Sequence, residues 1–141
     1  MDELEKMEKQ RVIDTAKKAL VYLRAAKFAL DKAMIVGVVD IFGGMYLSSG
    51  IKHLEIESAK KNIRLAMEEL QKFRRETDST DYVNQNYMHM GILSTVFDFG
   101  FDNLASDVYA QARIAGLRRR VKEAINRVEI ILRRIELSET S

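Results

Sequence analysis

The sequence contains neither cysteine nor proline among its 141 residues. Without cysteine there is no disulfide framework, no thiol nucleophile and no thiolate metal site. A proline inside a helix costs about 3 kcal/mol or more, so a chain without proline can form very long helices. Charged residues make up 31% of the chain. This composition is typical of long amphipathic helices and lacks the punctuation of an all-β domain.

The chain also has little net charge and no long hydrophobic run. A net charge of +2 is too small to indicate nucleic-acid binding by itself. The most apolar window, 33–47, contains Asp40 and is shorter than the ~20 residues of a bilayer span. The first residues, Met-Asp-Glu-Leu-Glu-Lys, are charged, unlike a secretory signal peptide. We therefore expect a cytoplasmic protein with a single helical-bundle domain over residues 1–141.

Apolar residues recur at alternating intervals of three and four residues in three segments, which is the pattern of helices that pair along a seam. The first seam contains Ile13, Ala16, Leu20, Leu23, Lys27, Leu30 and Met34. The second contains Ile56, Ala59, Ile63, Ala66, Leu70 and Phe73, and the third Ile114, Leu117, Val121, Ala124, Val128, Ile131 and Ile135. The predicted fold class is all-α: an antiparallel bundle of three long coiled-coil-like helices plus a short fourth helical element within residues 87–102.

Small residues form a second stripe in the first segment, where Ala19, Ala26 and Ala33 recur every seven residues. Small side chains there allow another helix to approach closely. Long helices paired by heptad seams usually cover an outer apolar stripe with a partner. We therefore expect a homodimer that uses this alanine stripe.

Glycines cluster at 37, 43, 44 and 50, which predicts a connection or a broken helix around residues 38–50. Polar residues accompany them, and glycines permit tight backbone approach while an aspartate can hold a histidine in one tautomer. This reasoning defines a candidate polar junction formed by Asp40, Gly43, Gly44, Lys52, His53 and Asp98. The simpler interpretation is that Asp40 caps a helix, the glycines turn the chain, and Lys52 and His53 are solvated.

The same residues carry a resemblance. Asp40, the pair Gly43-Gly44, the pair Lys52-His53 and the later pair Asp98-Phe99 resemble the pattern of an uncharacterised family of small bacterial helical proteins. The resemblance covers residues from about 39 to 136. It implies a small helical protein and no known activity.

The middle of the chain is acidic and aromatic. From Glu76 to Ala112 there is no lysine or arginine, whereas six acids and six of the eleven aromatic residues occur there. Aromatic faces attract cations and apolar ligands, so this segment can bind a small ligand or touch a membrane surface. More often such a cluster is core or a subunit interface. The candidate pocket or interface aromatics are Tyr87, Phe97, Phe99 and Phe101.

Several chemistries lack the residues that they need. Only His53 and His89 are present, without the Glu-x-x-His pairs of a helical di-iron site. Ser48-Ser49-Gly50 lacks the spacing of a nucleophile elbow, and the glycines match neither a P-loop nor a dinucleotide fingerprint. Arg118-Arg119-Arg120 can meet phosphates, but a solvated face that meets the chain's own acids is the better interpretation. We predict no catalytic residues, no metal, no cofactor and no nucleic-acid partner.

Three hypotheses for function follow. The first, which we favour, is a non-enzymatic structural or protein-interaction bundle that docks a protein partner or itself. The alternative is a small-ligand or membrane-surface binder that uses residues 82–109. The third is an enzyme or nucleic-acid module built on Asp40, His53 and Asp98, or on the arginine-rich last helix.

Overall fold

Long helices form wherever the heptad seams run through the sequence. The structure is a computed structural model that describes residues 3–41, 45–79 and 111–137, and the side-chain environments of residues 3–35, 53–76 and 114–137. These residues form α1 (Glu3–Ile41), α2 (Met45–Ser79) and α3 (Gln111–Leu137). At a rise of about 1.5 Å per residue, α1 is roughly 58 Å long. The all-helical fold class is confirmed for this part of the chain.

The seam residues form one hydrophobic core. All six members of the second seam and all seven of the third are buried, and each has at most 8% of its surface exposed. In the first seam only Lys27 and Met34 are partly exposed, and Met34 still packs against the core. The periodicity therefore identified the inward face of each described helix correctly.

Helix α1 packs against both α2 and α3. The ion pairs that join α1 to its neighbours run in reverse order, because later residues of α1 pair with earlier residues of the neighbouring helix. Lys18 pairs with Glu69 and Lys32 with Glu55 on α2. On α3, the partner of Lys17 is Glu136 and that of Arg24 is Glu129. Helix α1 thus contacts both other described helices, and these cover two of its sides.

The alanine stripe lies inside the chain. Ala19, Ala26 and Ala33 are each 0% exposed and belong to the core. They are therefore not the outer surface through which we expected a second copy to dock, and that part of the prediction is wrong. Because α1 packs against two helices, its inward face is wide enough to include both the seam and this stripe. The prediction of a homodimer stays a prediction that needs another surface.

The connection between the first two helices is shorter than the glycines predicted. Helix α1 continues past Gly37 to Ile41, and α2 begins at Met45, so that Gly50 lies within its second turn. A single glycine inside a helix costs only about 1 kcal/mol, and a helix packed over many turns tolerates it. The fourth helical element predicted for residues 87–102 lies outside the described residues.

Candidate functional site

The predicted polar junction is described only in part. Asp40 lies in the last turn of α1, and Lys52 and His53 lie in the third turn of α2. His53 is exposed to solvent. Gly43, Gly44 and Asp98 lie outside the described residues, as do all the candidate aromatics, Tyr87, Phe97, Phe99 and Phe101. The proposal of a site at this junction, and the proposal of a pocket or interface in the aromatic segment, therefore stay predictions.

A different surface stands out on α1, on the side that faces away from the core. Val21, Phe28 and Ile35 are 62%, 61% and 65% exposed, and they recur every seven residues. Phe28 is two residues before the buried Leu30, which places the two side chains about 200° apart around the helix. We call Val21, Phe28 and Ile35 the outer stripe. It is an apolar row directly opposite the packed face of α1.

Charged residues border the outer stripe on both sides. Toward α2 the border contains Lys18, whose Nζ lies 3.4 Å from Oε1 of Glu69, and Lys32, whose Nζ lies 3.8 Å from Oε1 of Glu55. Toward α3 it contains Lys17, Arg24 and Asp31, each paired with a residue of opposite charge on α3. An apolar centre inside a polar rim is the usual anatomy of a protein–protein contact surface.

The ammonium group of Lys32 also lies over the outer stripe. Its Nζ lies 4.4 Å from the centre of the Phe28 ring, within the range in which a cation is attracted to an aromatic face. At an exposed site such a contact is worth about 0.5–1 kcal/mol, so it favours this orientation of a ring that otherwise faces solvent. Ordering Phe28 on binding therefore costs less conformational entropy than ordering a ring without such a contact.

Asp31 is a carboxylate of this border that accepts two hydrogen bonds. It accepts a hydrogen bond from Nζ of Lys27 at 2.8 Å and another from Nε of Arg118 on α3. Partial burial alone would raise the pKa of Asp31, but the two hydrogen bonds and the positive charges of Arg118 and Lys27 outweigh it and lower the pKa below its ordinary value. The ionised carboxylate therefore ties α1 to α3.

The lowered pKa predicts how Asp31 contributes to stability as pH changes. A carboxylate whose pKa is lower in the folded state stabilises the fold above its unfolded pKa of about 3.9 and loses that effect as pH falls through the folded value. We expect Asp31→Asn to lower the free energy of unfolding by about 1 kcal/mol at neutral pH. The difference from wild type should be constant at neutral pH, decrease as pH falls through the unfolded pKa of about 3.9, and vanish only below the lowered folded pKa.

Denaturant unfolding at a series of pH values measures this difference. Asp14→Asn is the control, because Asp14 is exposed and its described hydrogen bond comes from Gln10 within α1. Its effect should stay within about 0.5 kcal/mol at every pH. An Asp31→Asn penalty that persists unchanged in acid would contradict the assignment.

A further polar contact joins α1 to α2, six residues before Val21. The Thr15 hydroxyl donates to Oε2 of Glu76 at 2.9 Å and also lies 3.0 Å from the carbonyl oxygen of Arg11. Beside it, an open groove of about 380 Å³ is lined by Met7, Gln10, Arg11, Asp14, Thr15, Lys18, Glu69 and Lys72. Its charges are mixed, and the groove is wide open to solvent. These features do not indicate a particular ligand.

The basic residues in the arginine-rich part of α3 have two kinds of environment, one partly buried and one exposed. Arg118 is partly buried and bonds to Asp31, whereas Arg119, Arg120 and Lys122 are exposed. Arg118 thus meets an acid of the chain itself, and the interpretation of the remaining basic residues stays a prediction. Arg118, Arg119, Lys122 and Asn126 line a shallow groove on the outer side of α3.

Comparison with known proteins adds no assignment: no protein-family model, curated protein or solved structure matches the chain. Within residues 3–41, 45–79 and 111–137, no group of three or more histidine, cysteine, aspartate or glutamate residues is placed to hold a metal ion. Among the described helices, none is both long enough and apolar enough to cross a bilayer.

Sequence reasoning missed the outer stripe although its signal is in the sequence. Val21, Phe28 and Ile35 have the same seven-residue period as the alanine stripe, but three widely spaced residues are a weaker signal than a continuous 3-4 seam. The Asp31–Arg118 contact has no comparable signal, since the two residues are 87 positions apart.

Proposed function

We propose that this protein is a non-enzymatic, cytoplasmic helical bundle that acts by docking another helix on the outer stripe of α1. The architecture that we propose is an antiparallel bundle with coiled-coil-like seams. The reversed order of the ion pairs supports it, because contacts of successive α1 residues fall on progressively earlier residues of α2 and of α3. A bundle of this kind presents long helix faces.

The observation that carries the proposal is the exposure of the outer stripe. Single exposed apolar residues are ordinary on protein surfaces, but Val21, Phe28 and Ile35 form one row with the seven-residue repeat of a single coiled-coil position. Their rim is already paired with residues of α2 and α3. A helix that binds between the two borders can therefore bury apolar surface without stripping unpaired charges of water, which would be costly.

A binding experiment tests the proposal. Immobilised wild-type protein and the variants Phe28→Lys and Ile130→Lys are exposed to a lysate of the host cells, and the retained proteins are identified by mass spectrometry. A charge at position 28 removes the aromatic centre of the surface, so we expect affinity for the bound protein to fall at least about tenfold. Ile130→Lys is the matched control, because Ile130 is an exposed apolar residue on α3.

The expected result is one or more proteins, a second copy of the chain included, that wild type and Ile130→Lys retain and Phe28→Lys loses. Circular dichroism of the three proteins should be the same, because position 28 is exposed and a lysine there is compatible with a helix. Identical sets of retained proteins for all three would contradict the proposal.

A further inference from the structure

The outer stripe has features that suit a second copy of itself. Across a two-fold axis the same patch must fit itself, so that a bulky residue on one copy needs a small one opposite it on the other. The stripe offers such a pair close to its centre. Phe28 is bulky and exposed, and Ala25 lies three residues before it on the border toward α2, small and only partly buried.

This pair determines where the axis lies. If two α1 helices run in opposite directions and cross between residues 26 and 27, Phe28 of one copy meets Ala25 of the partner subunit. The same register brings Val21 opposite Lys32 of the partner subunit and Ile35 opposite Lys18 of the partner subunit. Lysine stems are apolar along their length and can cover aliphatic neighbours while the ammonium stays in water. Every member of the outer stripe then has a suitable neighbour.

Charge does not oppose this contact. The basic border residues Lys17, Lys18, Arg24 and Lys32 would repel a second copy if they were unpaired. Each of them lies within 4 Å of a glutamate of its own chain: Glu136, Glu69, Glu129 and Glu55. Asp31 is neutralised by Arg118 in the same way. Two copies thus meet as nearly neutral surfaces.

We infer that the outer stripe is the contact by which two copies of this chain associate, with their α1 helices antiparallel and crossing between residues 26 and 27. This inference rests on the proposed function, because it names the partner of the same surface. It replaces the alanine stripe, which is buried inside the chain, with a surface that is available for contact.

The size of the patch sets the expected strength. The three side chains expose roughly 300 Å² of mainly apolar surface, within the range of functional patches on monomers. A standard stable interface buries about 800 Å² on each partner. The border residues add to the contact, but the total stays at the lower end of specific interfaces. We therefore expect a dimer that forms at micromolar concentration and dissociates on dilution.

Sedimentation velocity between one and several hundred micromolar tests association. We expect wild type and Ile130→Lys to change from monomer to dimer over this range, with Phe28→Lys needing at least about tenfold higher concentration. Phe28→Leu, which keeps an apolar side chain, should fall between them. Circular dichroism shows whether each variant is folded. A wild-type chain that stays monomeric at several hundred micromolar overturns the inference, as does dimerisation that Phe28→Lys leaves unchanged.

The register can be tested separately by disulfide cross-linking, because the wild-type chain has no cysteine that could form other disulfides. In the proposed arrangement, Val21→Cys and Lys32→Cys chains mixed under mild oxidation form a mixed disulfide-linked dimer. Val21→Cys alone does not, because its two copies lie about 16 Å apart along the helix axis. Lys61→Cys, exposed on α2, stays monomeric. Linkage of Val21→Cys with itself, without enhancement in the mixture, would mean parallel helices and overturn the arrangement.

Two outcomes separate this inference from the proposed function. If wild type is monomeric but a different protein binds it and is lost with Phe28→Lys, the second copy is the wrong partner and the docking surface stands. If the monomer instead binds phosphatidylserine vesicles through Phe28, both are overturned, because the surface then serves a membrane. Protein–protein dimerisation with no binding to the vesicles supports both.

Discussion

Replacing Phe73 by alanine is expected to lower the free energy of unfolding by about 3–5 kcal/mol. The ring is 1% exposed and is the largest fully buried apolar side chain among the residues whose burial the structure describes. Its removal loses the favourable transfer of a phenyl group from water and leaves a cavity between packed helices, which relax only partly. Total stability of a domain is about 5–15 kcal/mol, so this single change removes a large share of it.

Phe28→Ala is the matched comparison, since the same residue type is 61% exposed there. Its effect should stay within about 0.5 kcal/mol when unfolding by urea is followed well below the concentration at which the dimer forms, so that association does not contribute. The two variants thus differ only in where the ring lies. Equal losses at both positions would contradict the assignment of Phe73 to the core and of Phe28 to the outer surface.

Replacing Ala26 by leucine is expected to destabilise the fold by about 1–3 kcal/mol. Ala26 is 0% exposed in the core of α1, where buried alanines let neighbouring helices pack closely. Three additional carbons there force neighbouring side chains out of their preferred rotamers or push a helix away. Leucine is more hydrophobic than alanine, so a loss of stability would show that the site has no room for a larger side chain.

Ala115→Leu is the control for this prediction. Ala115 is only partly buried and lines the open groove on the outer side of α3, where extra carbons have room. We expect a change within about 0.5 kcal/mol. If Ala26→Leu were neutral or stabilising in thermal or urea unfolding, the alanine stripe would lie on an open surface, as the sequence alone had led us to expect.

The alanine stripe of α1 is buried and the outer stripe is exposed, and the sequence alone does not predict this difference. Ala26 and Phe28 belong to rows with the same seven-residue period, and periodicity cannot tell which of two rows faces inward. The alanine row faces inward because α1 contacts two helices at once, which widens its buried face. Hydrophobicity alone would have placed Phe28 inside and Ala26 outside. The number of neighbours that a helix has is a property of the tertiary structure.

Some of the electrostatic contacts can likewise be predicted from the sequence, whereas others depend on the tertiary structure. Lys27 sits at a seam position where an apolar residue is expected, and the sequence offers no reason for it. In the fold, Lys27 and Arg118 both bond to Asp31, so that the lysine holds the carboxylate that joins α1 to α3. The i,i+4 spacing of Lys27 and Asp31 can be found in the sequence. Arg118 cannot, because nothing local relates a residue on α3 to one on α1.

What the amino-acid sequence determined by itself is the helical class, the approximate extent of the three described helices, and the seam that each turns inward. These depend on hydrophobic period and on the lack of proline, both of which act within a few turns of one helix. Only the tertiary structure decided that α1 lies between its two neighbours, that its alanines are buried and that Val21, Phe28 and Ile35 stay exposed. The reason is that burial depends on which surfaces are brought together over distances of tens of residues along the chain.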